Sequence, residues 1–198
     1  MVDGLRKRLR PEERAEQFLL AAADIVRRDG TQALTMESLA AACGVNKALP
    51  YRHFSNRDAV LVALYKRQND AFDLALAAEM QVARSFEDAL RALVDTWSKQ
   101  AASGAGLPAL QEVRTSDGEL ETLRANRIQA SVAYIAHMIG RYWDISKRDA
   151  ILAASVLFAG SRGLTAIWDH THAPRAALNE SFIRMAIGAV KAVARPLP

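Results

Sequence analysis

The length, composition and charge of the chain together predict a folded, soluble protein. Of its 198 residues, 51% are hydrophobic and 24% are charged, so the chain can bury a core and is not a disordered polymer. The net charge of +4 permits nucleic-acid binding without requiring it, and the single cysteine, Cys43, excludes an internal disulfide. With no apolar signal segment and no stretch long enough to span a bilayer, we expect a cytoplasmic protein without membrane association.

Three short helices are predicted near the N-terminus. Pro11 suits the first turn of a helix, and apolar residues then recur at helical spacing up to Gly30. A second helix follows Thr35, a good N-cap residue, and ends at Gly44. Asn46 is predicted to cap a third helix of about eight residues.

Six further helices are predicted beyond these, which makes about nine in an all-α fold. Three of them begin at capping pairs, namely Ser55 with Asp58, Ser85 with Asp88 and Ser146 with Asp149. The others are a short helix around Leu110, a long one from about Gly118 to Tyr142, and a last one from about Asn179 to just before Pro196. The small residues at 103–106 and the segment 170–174 are predicted breaks, and no sustained alternation indicates a strand.

The segment from Thr35 to Phe54 has the spacing of a helix-turn-helix. Gly44 lets the chain reverse with a positive φ between two short helices, and Val45 is expected to pack into the angle between them. Side chains suited to phosphates and base edges recur on the second helix: Lys47, Tyr51, Arg52 and His53. The pattern predicts DNA binding.

Over about residues 12–70 the sequence resembles the tetracycline-repressor (TetR) family of transcription regulators. The residues that carry the resemblance are Ala22-Ala23, Gly30, Thr35, Leu39-Ala40, Gly44-Val45, the block Tyr51-Arg52-His53-Phe54, Ser55, Arg57 and Asp58. The resemblance implies a flexible basic tail at 1–10, a DNA-binding domain at 11–54, and a helical ligand-binding and dimerisation domain at 55–198. It also implies a homodimer on a near-palindromic operator, and a small-molecule effector.

Three residues depart from the family's usual pattern. Pro50 removes a backbone N–H from the recognition helix, and Leu49 replaces a residue that is often small or hydroxylated. Arg57 stands where lysine is common, which keeps the charge. A proline in mid-helix costs about 3 kcal/mol. Because Pro50 comes only four residues after the Asn46 cap, we expect a smaller cost and a kinked or tightened first turn.

The resemblance and the helix positions together predict the DNA contacts. The candidates are Thr35, Asn46, Lys47, Ala48, Leu49, Tyr51, Arg52, His53 and Arg57, with Val45 and Phe54 as core supports. The basic run Arg6–Arg10 is either a further DNA contact or a solvated tail.

Two more sets of residues are predicted in the C-terminal domain. Large aromatic and polar side chains are candidates for an apolar ligand pocket, with core packing as the alternative for each one: Trp97, Tyr134, His137, Phe158 and Trp168. The last two long helices are rich in small residues and imply a dimer interface, with contacts from Leu157, Gly160, Leu164, Phe182, Met185 and Ala189.

The sequence therefore predicts a repressor that a small apolar ligand releases from its operator. The alternative is a ligand-binding or scaffold protein of the same fold that has lost operator binding, with Pro50 as the lesion. No nucleophile–base pair, phosphate loop or metal-ligand spacing supports an enzyme or a resident cofactor. His170 and His172 beside Asp169 are interpreted as a surface loop instead of a metal site, and redox sensing by Cys43 is disfavoured.

Overall fold

The computed structural model describes residues 10–102, 109–171 and 173–196, and helices account for most of this part of the chain. The seven α-helices of the described residues are α1 (Pro11–Asp29), α2 (Met36–Ala42), α3 (Arg57–Met80), α4 (Phe86–Ala102), α5 (Glu119–Tyr142), α6 (Lys147–His170) and α7 (Arg175–Val193). Three 3-10 helices lie at Thr31–Ala33, Pro50–Arg52 and Ala109–Gln111. Trp143–Asp144 pairs antiparallel with Arg195–Pro196.

The all-α class is confirmed, and the expected count of about nine α-helices is wrong. The predicted third helix and the predicted short helix around Leu110 are both 3-10 helices, which accounts for the difference. Most of the predicted basic tail and the small-residue break at 103–106 lie outside the described residues, as does His172.

Local capping explains where several helices begin. Thr35 Oγ1 accepts from the N–H of Ser38 at 2.9 Å, and Ser38 Oγ accepts from the N–H of Thr35 at the same distance. Ser85 and Ser146 likewise accept from the N–H of the residue three positions on, as their sequence patterns predict. These side chains satisfy N–H groups that the first turn of a helix leaves without a backbone partner.

Two predicted helix starts are wrong. Asn56 caps α3 in place of Ser55, because Asn56 Oδ1 accepts from the N–H of Ala59 at 2.8 Å. The last helix begins at Arg175, directly after Pro174, and so four residues earlier than Asn179. Proline cannot donate a backbone hydrogen bond and suits the entry to a helix, where no such bond is needed.

The described residues form two compact units. Those within 1–68 and 104–120 form the first unit, and those within 69–103 and 121–198 form the second. The core of the first unit contains side chains with at most 1% exposure: Phe18, Leu34, Leu39, Leu61, Leu64, Leu110 and Leu120. The core of the second is built from α4, α5, α6 and α7, with Leu90, Val94, Ile139, Ile183 and Val190 at its centre. In the described part of the chain, every helix is too short or too polar to cross a bilayer.

Because the chain reverses at Gly44 with a positive φ, we expect Gly44→Ala and Gly140→Ala to change the free energy of unfolding in opposite directions. Gly44 has a φ of +62° with no atom within 4 Å of a Cβ position, so Gly44→Ala suffers from backbone strain alone. We expect it to destabilise the protein by about 1–2 kcal/mol. Gly140→Ala is the matched control, because Gly140 lies inside α5 with similar free space and ordinary helical φ.

Alanine at a helical position is favoured by roughly 0.5–1 kcal/mol over glycine, so Gly140→Ala should stabilise the protein. Urea unfolding followed by far-ultraviolet circular dichroism measures both changes. Equal stability of Gly44→Ala and the wild type would contradict the assigned backbone conformation.

Candidate nucleic-acid interface

Thr35 opens the candidate interface at the start of α2, and its side chain is exposed. The N–H of Thr35 already donates to Ser38 Oγ, so it is not available to a phosphate. Thr35 Oγ1 accepts in its bond with Ser38, and this leaves the hydroxyl hydrogen to donate elsewhere. Of the two donors of Thr35, its N–H and its hydroxyl, only the hydroxyl remains available to a phosphate.

The segment after the turn at Gly44 is not the regular α-helix that its sequence predicted. Asn46 Oδ1 accepts from the N–H of Ala48 at 2.9 Å, and the carbonyl of Asn46 accepts from Leu49. Two further bonds, from Arg52 to Leu49 and from His53 to the carbonyl of Pro50, also span three residues. This is the hydrogen-bond pattern of a 3-10 helix.

Pro50 is the physical reason for this change. Proline has no N–H, so position 50 cannot donate to the carbonyl of Asn46 four residues earlier, and the turn tightens. The backbone remains right-handed helical around it, with φ −71° and ψ −41° at Leu49. Pro50 itself is buried. The expected tightening of the first turn is therefore confirmed, and its length as an α-helix is corrected.

The side chains of this segment separate into exposed and supporting groups. Asn46, Lys47, Ala48, Tyr51 and Arg52 are exposed, and Tyr51 retains 51% of its surface. Leu49 and His53 are half-buried, as are the expected supports Val45 and Phe54. The ring of His53 lies 5.5 Å from that of Phe18. We call the exposed side chains Thr35, Lys47, Ala48, Tyr51 and Arg52 the contact surface.

Arg57 points inward and takes no part in the contact surface. Its Nε donates to the carbonyl of Leu34 at 2.9 Å, and its Nη2 donates to the carbonyl of Thr31 at 2.8 Å. These bonds use the guanidinium to join the start of α3 to the segment before α2. No pattern in the sequence indicates this role, because both partners are backbone carbonyls more than 20 residues away.

Cys43 lies at the end of α2 and is partly exposed. Burial raises the pKa of its thiol, and the nearby charge of Arg14 lowers that pKa by less. A raised thiol pKa reduces the thiolate fraction at neutral pH, and the thiolate is the form that reacts in redox chemistry. This environment offers Cys43 no activation.

Comparison with known proteins shows which family this arrangement resembles. The sequence matches the family model described as bacterial regulatory proteins, tetR family, over residues 18–64, which include α2, the reversal at Gly44 and the 3-10 helix. Over these residues the chain is similar to the TetR family. TetR proteins are transcription regulators and not enzymes.

Individual relatives support the same assignment. The HTH-type transcriptional activator FasR of Mycolicibacterium smegmatis is 24% identical over 183 residues, which cover 77% of this chain and 84% of FasR. The fatty acid degradation regulator FadR from Bacillus halodurans superposes with a TM-score of 0.73 at 21% identity, over 92% of this chain and 97% of its own. A transcriptional regulator from Rhodococcus sp. Rha1 gives 0.78 at 17% identity, over 93% and 99%. At these identities the structural likeness shows the TetR fold alone.

In the second unit, the structure brings only some of the predicted ligand residues together. The rings of Trp97 and Trp168 are 5.2 Å apart, and Phe158 is half-buried against the same core. Tyr134 and His137 instead lie on the exposed side of α5. The inward positions of that helix are taken by Ile135, Met138 and Ile139, so Tyr134 and His137 are corrected from pocket to surface residues.

Several buried polar atoms of the second unit have no hydrogen-bond partner within the described residues, and the indole Nε1 of Trp143 is one of them. Two others are the indole Nε1 of Trp168 and Oδ1 of Asn179, in side chains that are 9% and 6% exposed. Asn179 uses its amide nitrogen to donate to Asp95 at 3.2 Å, and the guanidinium of Arg175 lies 5.2 Å from the centre of the Trp168 ring. Buried polar atoms are nearly always paired, so these two call for a partner. The sequence indicated Asn179 only as the start of a helix.

Of the predicted interface residues on the last two helices, some are buried in the core and others are exposed. Leu157, Leu164 and Phe182 are at most 8% exposed in the single chain, so they belong to its own core, and their assignment to an interface is wrong. Gly160 is exposed on one side, and on the other a Cβ would lie 3.0 Å from the ring of Phe182. Met185 and Ala189 are exposed, as a contact with a second copy would require.

Around Met185 and Ala189, α6 and α7 present an apolar surface with members that the sequence did not indicate. It consists of the exposed side chains Leu152, Val156, Ile167 and Met185, which retain between 44% and 66% of their surface. Small exposed residues lie among them: Ala159, Gly163, Gly188 and Ala189. We call this set the α6–α7 face. On α6 its members recur every three or four residues, which places them along one side of the helix.

Proposed function

We propose that this regulator is a homodimeric repressor that binds a near-palindromic operator and leaves it when a small, mainly apolar effector occupies the second unit. The observation that carries the proposal is the contact surface. Four of its five members lie exposed on one short segment: Lys47, Ala48, Tyr51 and Arg52. The backbone of this segment is constrained by the cap at Asn46 and by the 3-10 helix that begins at Pro50. In a helix-turn-helix, the second helical segment enters the major groove and the helix before it supports this position.

Each member of the contact surface is given a role by its chemistry. The hydroxyls of Thr35 and Tyr51 donate to phosphates, which positions the protein without reading sequence. Lys47 and Arg52 have donors suited to guanine, and the methyl group of Ala48 suits thymine. His53 retains partial exposure and contributes a further phosphate contact.

The effector is proposed to be a fatty acid. The adjacent rings of Trp97 and Trp168, tilted by 38° to each other, offer an apolar wall, and the unpartnered indole N–H of Trp168 is a donor for a carboxylate. The guanidinium of Arg175, close to the same ring, adds a positive charge. The Bacillus halodurans relative is described as a fatty acid degradation regulator, which supports the same class.

Dimerisation is proposed to occur through the α6–α7 face. Among the described residues, six of the eleven large hydrophobic side chains that are exposed lie on α6 and α7. An apolar surface of this kind is typical of a contact with another protein. A second copy would bring the same two helices across a two-fold axis and set two contact surfaces on one operator.

Operator binding is tested with two matched tyrosine variants. DNA duplexes are first selected from a random pool by the wild-type protein, and the affinity for a selected duplex is then measured by fluorescence anisotropy. Tyr51→Phe should weaken binding about tenfold or more, because a hydrogen bond to a charged group is worth roughly 1.5–3 kcal/mol. Tyr134→Phe makes the same chemical change at an exposed site of α5 and should have no effect.

Wild-type affinity should also fall steeply with salt, since phosphate contacts release counterions. Recovery of no duplex at low salt would contradict the proposal. If Pro50→Leu then recovered duplexes that the wild type does not, the alternative of a regulator that has lost operator binding would be favoured.

Run-off transcription from the DNA upstream of its own gene distinguishes repression from activation, the role for which the mycobacterial relative is named.

Dimerisation is tested by placing a charge on the α6–α7 face. Val156→Lys should shift the protein to monomer in sedimentation equilibrium, because burying an unpaired ammonium group is strongly unfavourable. Leu74→Lys is the matched control, since Leu74 is 77% exposed on α3 and outside the face. A wild-type monomer, or an unchanged dimer in Val156→Lys, would exclude this interface.

The effector class is tested by titrating octanoate, dodecanoate and hexadecanoate. Binding should change tryptophan fluorescence and release the selected duplex, and Trp168→Leu should lose both responses. Trp143→Phe is the control, because Trp143 packs on Phe86 with ring centres 6.0 Å apart and its buried indole N–H also lacks a partner, so the two indoles are compared directly. Retention of fatty-acid release in Trp168→Leu would rule out this site.

A further inference from the structure

Asp58, in the first turn of α3, joins two distant parts of the first unit. Its Oδ2 accepts from both the N–H and the hydroxyl of Ser116, at 2.8 and 2.9 Å. Its Oδ1 accepts from Nη1 of Arg57 at 3.3 Å. The Asp58 side chain is 17% exposed. The Asp58 carboxylate therefore links the segment 109–120, through Ser116, to the guanidinium of Arg57.

Asp58 is not needed to cap α3. Asn56 already provides the cap, through its bond from the N–H of Ala59. A carboxylate in the first turn of a helix is favoured by the helix dipole, but that interaction requires no partner at Ser116. The two bonds from Ser116 therefore need a separate explanation.

Arg57 continues the connection to the contact surface. Its remaining nitrogens donate to the carbonyls of Leu34 and Thr31. The carbonyl of Leu34 belongs to the same peptide group as the N–H of Thr35, which donates to Ser38 Oγ. This peptide group is thus held at both ends, and Thr35 follows it directly.

Ser116 is itself held in a compact turn. Leu110 and Leu120, on either side of it, have no exposed surface. The hydroxyl of Thr115 accepts from the N–H of Leu120 at 3.3 Å, and Gly118 has a φ of +71°. Because this packing restrains the turn, Ser116 presents its two donors to Asp58 at a defined position.

We propose that Asp58 is a positioning residue for DNA binding. It keeps Arg57 on the carbonyls before Thr35 and makes the position of the Thr35 hydroxyl depend on that of Ser116. The segment 109–120 continues directly into α5, most of which belongs to the second unit, so a displacement of this segment reaches the contact surface through Asp58. This inference rests on the proposed DNA binding.

The first experiment compares variants on the duplex selected by the wild-type protein. Asp58→Ala should weaken binding about tenfold, the effect of losing one hydrogen bond to a charged group. Ser116→Ala keeps the bond from its N–H and should weaken binding less. Glu119→Ala is the matched control in the same segment, because its ion pair with Lys66 is exposed and its loss changes the charge equally. Removal of a negative charge alone would strengthen DNA binding, which is the opposite of the expected result for Asp58→Ala.

The second experiment distinguishes positioning from a loss of folding. In the Asp58→Ala background, Thr35→Val should weaken binding by a smaller factor than in the wild type, because the Thr35 contact is already impaired. Tyr51→Phe should weaken binding by the same factor in both backgrounds. Thermal unfolding checks that each variant is folded, and Asp58→Asn takes the place of Asp58→Ala if the latter is not.

Wild-type affinity in both Asp58→Ala and Ser116→Ala would overturn the inference, as would an equal effect of Thr35→Val in the two backgrounds. These results leave the proposed DNA binding intact. Failure of the wild-type protein to select any duplex would instead overturn the proposed function, and this inference with it.

Discussion

Phe18 has no exposed surface, and the centre of its ring lies 5.5 Å from that of His53 and 6.4 Å from that of Phe54. This aromatic contact matters because the segment it supports has few backbone bonds of its own. With Pro50 in its middle, the segment has only one turn of 3-10 helix, and such a turn is not stable by itself. Packing against α1 therefore positions the contact surface, and the conformation of the segment depends on the core of the first unit.

In the first unit, the side chains that support the backbone are different from the side chains of the contact surface. Side chains that point inward, such as Arg57, bond to backbone carbonyls, whereas Lys47 and Arg52 remain exposed and available to a ligand. Because the donors of the Arg57 guanidinium are used by these carbonyls, Arg57 contributes its positive charge to the electrostatic potential of the contact surface but no hydrogen bonds to a ligand. Specificity in a surface of this kind comes from a few side chains, and the other polar groups determine where those side chains lie.

Features that depend on neighbours in sequence were predictable. The caps at Thr35, Ser85 and Ser146 and the reversal at Gly44 follow from residue type and spacing, and the structure has them. Features that depend on distant partners were not. The small residues of α6 and α7 indicated an interface, but only the folded chain shows that Leu157 and Phe182 are used in the internal core while Val156 stays exposed. Likewise, nothing near Arg57 in the sequence indicates its bonds to Thr31 and Leu34.

The close approach of Gly160 to the ring of Phe182 has a consequence for how this protein tolerates mutation. Any side chain at position 160 would push against a ring that is already 92% buried, and α6 and α7 would have to separate or rotate. Both helices also present the α6–α7 face, so such a shift would change the relative register of its two halves. A substitution that makes no contact with a second copy could in this way alter self-association, and a comparison of natural variants at this position would reveal it as a constraint on glycine.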